Sequence, residues 1–518
     1  MLTLLLAVDP VTWEGVVQPA NSAWNDYFGA EVAGVGDVDG DGHRDLAVGA
    51  VSLNHPAEAV HLFYGSPDGI LEDSEQQLFV DVDFGSRFGS TLAGGADVDG
   101  DGLDDLVAGL PRMDGSRWRT GGVALYTEGG SSVQILQPAT PVSRHELGLD
   151  VAMPGDLDGD GYADIASTAL GGERVTVFYG TSGPFGDADD HVVPLPDGAY
   201  RFTVAGAGDT NGDGFADLVA ASWSPYDEPD GAAWLWLGAA SGLEQAPDTV
   251  LDGEDGFGAG VAGVGDLNGD GLDDLSVTTG ASYYSGIPAA VTLFYGSVSG
   301  PMPSQVLSDP APYDAFADTV AGVGDLDRDG FDEVLVTASY AGYSGSSARP
   351  GALYLYFGSA TGVGRELKLA RDEHIELGTG AAGLGDVDND GFPDFAAGAG
   401  DLQPGSVYLF DGACRDPQTV FADLDGDGFG SGPAILSCGP ETGGAQNADD
   451  CDDGDGSIYP GAPERPDDCV DANCDGAAED CEGKTANEAR VSCATGPVTA
   501  FWLALLAACA IRRGRAGA

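Results

Sequence analysis

A fifteen-residue phrase that occurs seven times constrains this chain more than any other feature. Around Asp37 the chain reads GDVDGDGHRDLAVGA, and close copies start their acidic run at Asp97, Asp156, Asp209, Asp266, Asp325 and Asp386. Successive copies lie 60, 59, 53, 57, 59 and 61 residues apart. Spacing this regular marks an array of one repeated structural unit. The apolar pattern repeats with it. A run such as EVAGVG precedes the acidic loop and a run such as DLAVGAV follows it. A third run comes after a variable loop, as in AVHLFYGS or RVTVFYGT, and a weaker fourth follows, as in QQLFVDV at 76–82. Four short apolar runs divided by glycine-rich turns predict one four-stranded antiparallel blade. A single blade cannot bury both faces, so neighbours must stack in a ring. The expected fold is all-β, a seven-bladed β-propeller over residues 11–412. The seventh unit stops after its third run, SVYLFDGA, while VTWEGVVQP at 11–19 precedes the first full unit. That segment stands where other units have their fourth strand. It is expected to pair as the outer strand of blade seven and hide an open edge.

Composition narrows the class of partner. Asp and Glu number 85 against 20 Lys and Arg, a formal net charge of −65. Such a charge repels phosphate backbones and argues against nucleic acid as a partner. Hydrophobic residues make up 42% of the chain, too many for a disordered acidic tail. The 83 glycines show no collagen triplet and are read as tight turns between short strands.

The acids at fixed spacing read as cation ligands. The loops follow DxDxDGxxD. Positions 1, 3, 5 and 9 are Asp37, Asp39, Asp41 and Asp45, then Asp97, Asp99, Asp101 and Asp105, then Asp156, Asp158, Asp160 and Asp164. The fourth and fifth loops carry Asn at position 3: Asp209, Asn211, Asp213 and Asp217, then Asp266, Asn268, Asp270 and Asp274. The sixth has Asp325, Asp327, Asp329 and Glu333, and the seventh Asp386, Asp388, Asp390 and Asp394. Hard cations such as Ca²⁺ take six to eight oxygen ligands from a flexible loop. Position 6 is glycine in all seven copies, which permits the sharp turn. Position 7 varies, as a residue lending only its backbone carbonyl would. An EF-hand would need Glu at position 12, where Val48 and Ala108 stand, and helical flanks, where the pattern is β. Multiple structural Ca²⁺ ions in strand–loop–strand sites are expected. The bland alternative is that Asp and Gly merely favour turns, but turns need one or two acids, not three or four in register.

These units resemble the FG-GAP repeats of integrin α-chain propellers. Phe28-Gly29, Phe88-Gly89 and Phe257-Gly258 match the first half of that name, and Gly109-Leu110-Pro111 approximates the second. Leu147-Gly148 and Leu377-Gly378 are near matches, while Phe202-Thr203 and Phe316-Ala317 depart further. The resemblance covers residues 11–412 and implies seven blades with cation-binding loops.

All eight cysteines lie after residue 413. Residues 413–482 form a Cys/Asp-rich module in which six cysteines allow 15 pairings. Cysteines confined to one small module suggest disulfides in an oxidising compartment. Its DLDGDGFG loop (Asp423, Asp425, Asp427), DDCDDGDGSIYPGAPE and CVDANCDG resemble the metal-binding motif of MopE-like proteins. That family name suggests copper. The module has neither His nor Met, so its oxygen-rich loops fit calcium better. Residues 483–493 read as a linker, and 494–518 as a hydrophobic helix ending in Arg512, Arg513 and Arg515. A cysteine before an apolar span and a basic end resembles the MYXO-CTERM sorting tails of myxobacterial surface proteins. By that resemblance Cys493 marks the anchoring site, and the protein is secreted and held at the cell surface or outer membrane. A retained transmembrane anchor is the alternative. Residues 1–10 read as a truncated signal peptide or, alternatively, as a first strand.

No catalytic constellation emerges. The six histidines are scattered outside any zinc spacing or nucleophile motif. A monomeric, calcium-binding surface propeller that binds a protein or glycan is the expected function, with no enzymatic activity. A purely structural envelope protein and the non-catalytic scaffold of a surface hydrolase are the alternatives. The acidic loops join strands one and two, so the loops joining strands two and three gather on the opposite face. There Trp118, Trp223, Tyr226, Tyr283, Tyr284, Tyr340 and Tyr343, with Arg117, Arg119 and Arg349, are candidate ligand contacts.

Overall fold

The repeat becomes blades because its apolar runs are β-branched or small and its breaks are glycine-rich. In the computed structural model each unit is a separate four-stranded antiparallel sheet. The structure describes residues 11–19, 27–51, 58–82, 85–115, 118–138, 143–170, 174–183, 185, 190–194, 201–223, 231–253, 256–280, 289–308, 316–341, 351–370, 376–400, 405–412, 418–422, 429, 431–437, 444–445, 451, 457–463 and 471–474. Contacts divide the chain into two compact units, Met1–Arg415 and Asp416–Ala518.

Blade one comprises Glu31–Gly36, Asp45–Ala50, Ala59–Phe63 and Gln76–Leu78, hydrogen-bonded in that order from the inside out. Blades two to six repeat it, with inner strands Leu92–Ala96, Leu147–Gly155, Arg201–Gly208, Phe257–Gly265 and Phe316–Gly324. Blade seven takes Ala381–Gly385, Asp394–Ala399 and Ser406–Gly412 from the end of the array and Val11–Val17 from its start. Val11 pairs with Gly412 and Val17 with Val407. The ring is therefore closed by a strand from the beginning of the chain, as the sequence pattern requires. Inner strands touch in succession, and the last touches the first.

The core lies between blades rather than within one. Val35, Leu62, Leu106 and Tyr126 join blades one and two, and Val32, Val48, Leu384 and Val407 join one and seven. Second strands such as Asp45–Ala50 and Asp164–Ala169 are buried along their whole length, since a neighbour covers each face. Tight turns explain only part of the glycine content. A Cβ on Gly263 would sit 2.5 Å from the Gly206 carbonyl, and one on Gly383 2.5 Å from that of Gly322. Inner strands converge near the axis, and at this step only glycine lets their backbones approach so closely.

The second unit contains a three-stranded sheet of Ser431–Ser437, Gln418–Ala422 and Gly444–Ala445. Cys451 and Cys474 form a disulfide, and Phe429 stacks on Tyr459 at 5.6 Å. Residues 1–10, the loop of Asp423, Asp425 and Asp427, the 483–493 linker, Cys493 and the C-terminal hydrophobic helix lie outside the described residues.

Candidate metal centres

Each acidic loop is a turn between the first and second strands of a blade, wound around the carboxylate at position 1. Asp37 Oδ1 accepts the Gly40 N–H at 2.7 Å and Oδ2 that of Gly42 at 2.8 Å. Asp97, Asp156, Asp209 and Asp266 repeat the pair. Position 6 has positive φ in every loop, from 85° at Gly271 to 98° at Gly391, so its glycine serves the turn. Position 4 was not singled out from the sequence, and it is left-handed too. It is glycine in five loops but Arg328 (φ 54°) and Asn389 (φ 62°) in the last two. Asn tolerates this region, whereas Arg does so at a cost of about 1 kcal/mol.

Position 9 does more than face the loop. Asp45, Asp105, Asp164, Asp217, Asp274, Glu333 and Asp394 are all buried. Each accepts the N–H of position 2, from 2.6 Å at Glu333 to 3.0 Å at Asp274. In five blades the second oxygen accepts the N–H of a glycine at or just past the end of the third strand: Gly65, Gly180, Gly238, Gly296 and Gly412. The residue is thus a clamp between the loop and the third strand. In blades two and six that second oxygen, Asp105 Oδ1 or Glu333 Oε1, is buried without a hydrogen-bond partner.

Five loops bring carboxylate oxygens within 4.8 Å of one another. The groups are Asp37, Asp39 and Asp45; Asp97, Asp99 and Asp101; Asp156, Asp158 and Asp164; Asp325, Asp327, Asp329 and Glu333; and Asp386, Asp388 and Asp394. Glu333 does not spoil the sixth loop, which assembles four carboxylates. The fourth and fifth loops have Asn at position 3, one fewer acid. Burial pushes Asp45, Asp105, Asp164 and Asp274 up to about 7, Asp217 to about 6 and Glu333 to about 10. Clustered carboxylates with unpartnered buried oxygens suit a bound divalent cation, which supplies the charge that burial otherwise disfavours.

The loops are also stitched to one another. The position-8 N–H of each of blades two to six reaches the position-1 carbonyl of the preceding loop: Asp104 to Asp37, Ala163 to Asp97, Ala216 to Asp156, Asp273 to Asp209 and Asp332 to Asp266. Where position 8 is Asp, its side chain also accepts the N–H of that position-1 residue, as Asp104 does from Asp37 at 2.8 Å. Blade seven departs from this pattern. Pro393 has no N–H to donate, and Arg328 instead lies over the Phe392 ring at 4.8 Å. At the closing seam His43 Nδ1 meets Val387 O and Asn389 Nδ2 donates to Gly42 O, both at 2.9 Å. His43 stands at position 7, where the repeat pattern calls only for a backbone carbonyl, and its ring contact across the seam depends on ring closure.

Of the candidate ligand contacts, Trp118 is 50% and Tyr340 37% exposed. Trp223 is half-buried, with its ring over Gly280 of the next blade. Tyr226, Tyr283, Tyr284 and Tyr343, with Arg117 and Arg349, lie outside the described residues.

An FG-GAP-like repeat model matches residues 156–220, and an FG-GAP repeat model matches 28–63 and 316–356. A putative metal-binding motif of the MopE type matches residues 450–484. The chain is 33% identical to integrin alpha-IIb of Homo sapiens over 217 residues, 38% of this chain and 20% of that protein. It is 30% identical to integrin alpha pat-2 of Caenorhabditis elegans over 225 residues, 37% of this chain and 17% of that one. With integrin alpha-5 of Xenopus laevis it shares 29% over 225 residues, 40% of this chain and 21% of that relative. The matches span about a fifth of the relatives' length. The chain carries FG-GAP repeats and a MopE-like metal-binding motif, and over more than a third of its length it is homologous to integrin α chains.

Proposed function

We propose that this protein is a calcium-loaded cell-surface propeller that binds a protein or glycan partner, without enzymatic activity. The observation that carries the reading is the set of five carboxylate groups, each with oxygens within 4.8 Å, on one face of the propeller. The residues that would hold Ca²⁺ are those at positions 1, 3, 5 and 9, with a backbone carbonyl at position 7. The fourth and fifth loops would offer Asn211 and Asn268 as neutral oxygen ligands. An ion there would neutralise carboxylates that otherwise repel at short range, and would tie the first two strands of each blade together. The likeness to integrin α chains favours ligand binding at a surface.

In this reading residues 11–412 are the propeller and 413–482 a metal-binding module. The Asp423, Asp425 and Asp427 loop would hold a further ion. Residues 483–493 would be a linker, and 494–518 a tail that anchors the protein to a membrane, with Cys493 as its processing site. Residues 1–10 would be the remnant of a signal peptide. The propeller would act as a monomer. Elemental analysis of purified protein, with melting curves in calcium and in EDTA, tests the metal. Several equivalents of calcium and a lower midpoint in EDTA are expected, and a metal-free protein with equal midpoints refutes it. Binding to glycan arrays and whole cells tests recognition. The Trp223→Ala, Tyr283→Ala, Tyr340→Ala variant should lose that binding with its melting midpoint intact.

A further inference from the structure

Of the 20 basic residues in this chain of net charge −65, a disproportionate share converges on one place. It lies on the propeller face opposite the acidic loops, where blade two meets blade three. Arg112 follows the second strand of blade two, and its N–H bonds to the Ser86 carbonyl, beside Arg87. The loop onward to the third strand pairs with the segment leading into blade three. Arg144 N donates to Trp118 O at 2.9 Å, Glu146 N to Arg119 O at 3.2 Å and Leu147 N to Thr120 O at 3.2 Å. Two irregular segments are thereby held in register.

That register arrays the side chains. The guanidinium groups of Arg119 and Arg144 each lie over the Trp118 ring at 4.9 Å from its centre. The exposed indole therefore acts as a spacer fixing two cations. Arg119 reaches Glu146 at 3.4 Å. Among the described residues Arg87, Arg112, Arg144 and Arg174 make no ion pair, and the Nε atoms of Arg87 and Arg174 are buried without a hydrogen-bond partner. Arg87 also lines a cavity of about 340 Å³ with Tyr27, Glu31, Val51 and Ser90. Mutual repulsion is part of this arrangement: Arg87 is lowered by burial first and then by Arg112 and Arg119. Glu31, in the same cavity, is pushed up to about 8 by burial and next by Asp150, which weakens its charge against Arg87. The described acids that do adjoin are Glu58, which accepts from Ser86 and the Phe88 N–H, Asp114, which accepts the Arg119 N–H, and Glu146. With Arg174, whose charge acts on His145, five arginines thus stand against Glu58, Asp114 and Glu146, with Glu31 beside Arg87, among the described residues. The local excess is positive on a molecule that is otherwise strongly negative.

We propose that this face of blades two and three binds a short carboxylate-rich segment of a partner protein. The proposal rests on the reading of this face as the recognition face, and it moves the centre of binding from the aromatics of blades four to six to the arginines of blades two and three. Guanidinium forks match carboxylates bidentately, and the indole holds two of them ready. The small extent of the patch favours a short segment over a long polyanionic glycan. Charge is screened within about 8 Å at physiological salt, so only the groups directly over the patch gain. A long polyanion would extend over the acidic remainder and be repelled.

Full-length protein in calcium buffer should bind a fluorescent peptide of alternating Glu and Gly, more weakly as salt rises. It should not bind the Gln–Gly counterpart. Arg119→Gln with Arg144→Gln should weaken binding by about tenfold or more with no change in melting midpoint. Arg144→Gln alone, at an exposed side chain, should give a smaller loss and guards against misfolding of the double variant. No binding of the Glu peptide, equal binding of the Gln peptide, or unchanged affinity in Arg144→Gln overturns the proposal. Tighter binding of an oligogalacturonate than of the peptide overturns the protein-segment assignment in favour of an acidic glycan. Loss of peptide binding in the arginine variants, with cell binding lost only in the Trp223, Tyr283, Tyr340 variant, would overturn this site and leave the broader recognition reading standing.

Discussion

The two faces of the propeller are built by opposite rules. On the acidic face, seven turns repeat one pattern of glycine, Asp and backbone hydrogen bonds, and five are stitched to the loop before them. On the opposite face the described loop residues of blades two and four are used differently. Blade two carries Trp118 between two guanidiniums, whereas Trp223 of blade four lies half-buried over Gly280. Repetition marks what every blade needs in order to stack. Variation marks what a single blade is free to use for something else.

The comparison breaks if the acidic face is not structural, and removing the cations proposed for it is the strongest test. In EDTA the melting midpoint should fall by ten degrees or more, roughly the effect of losing several folded-state ligands at once. Melting curves with and without added calcium measure it, and equal midpoints would make the acidic loops mere turns.

Next in size is the position-9 clamp. Asp217 accepts from Thr210 N at 2.9 Å, the Thr210 hydroxyl at 2.6 Å and Gly238 N at 3.0 Å, wholly buried. Asp217→Ala should cost about 2–4 kcal/mol by urea unfolding, because it leaves buried donors unpaired. Asp213→Ala, at exposed position 5, should cost far less in EDTA while lowering calcium stoichiometry. Equal losses in EDTA would erase the distinction between clamp and ligand.

A smaller effect concerns pH at the inner rim. The Glu31 carboxyl is raised by burial, and next by Asp150, to about 8. A raised carboxyl favours the protonated form in the folded state. Its stabilising contribution is present below the unfolded-state value near 4.5 and is lost as pH rises toward 8. Glu31→Gln should therefore melt higher than the parent at pH 8 and show no such gain at pH 4. Parallel melting profiles across that range would place Glu31 in water.

The smallest concerns the seams of blade seven. Pro393 removes the N–H that blades two to six give to the preceding loop. Pro393→Ala restores a donor, and a net gain of up to about 1 kcal/mol is expected if the seam can close on it. Loss of stability would show that Pro393 packing, its ring beside Gly324, outweighs the missing bond.

Much of the architecture was legible before any coordinates. Seven copies of the acidic loop at near-constant spacing, six of them with four apolar runs, determine blade number, strand order and the position of the acidic turns. The missing fourth run of the last unit and the spare run at 11–19 determine how the ring closes. These are local or periodic properties, set by turn chemistry and by the need of each blade for a neighbour. The tertiary structure alone decided the rest. It made position 9 a clamp to the third strand, because the glycine that it holds is 16 to 22 residues away. It brought His43 to Val387 across the closing seam, 344 residues apart. It brought Arg119 and Arg144, from two different loops, over the one indole of Trp118. No periodicity encodes such meetings, because they depend on where converging blades bring unlike loops side by side.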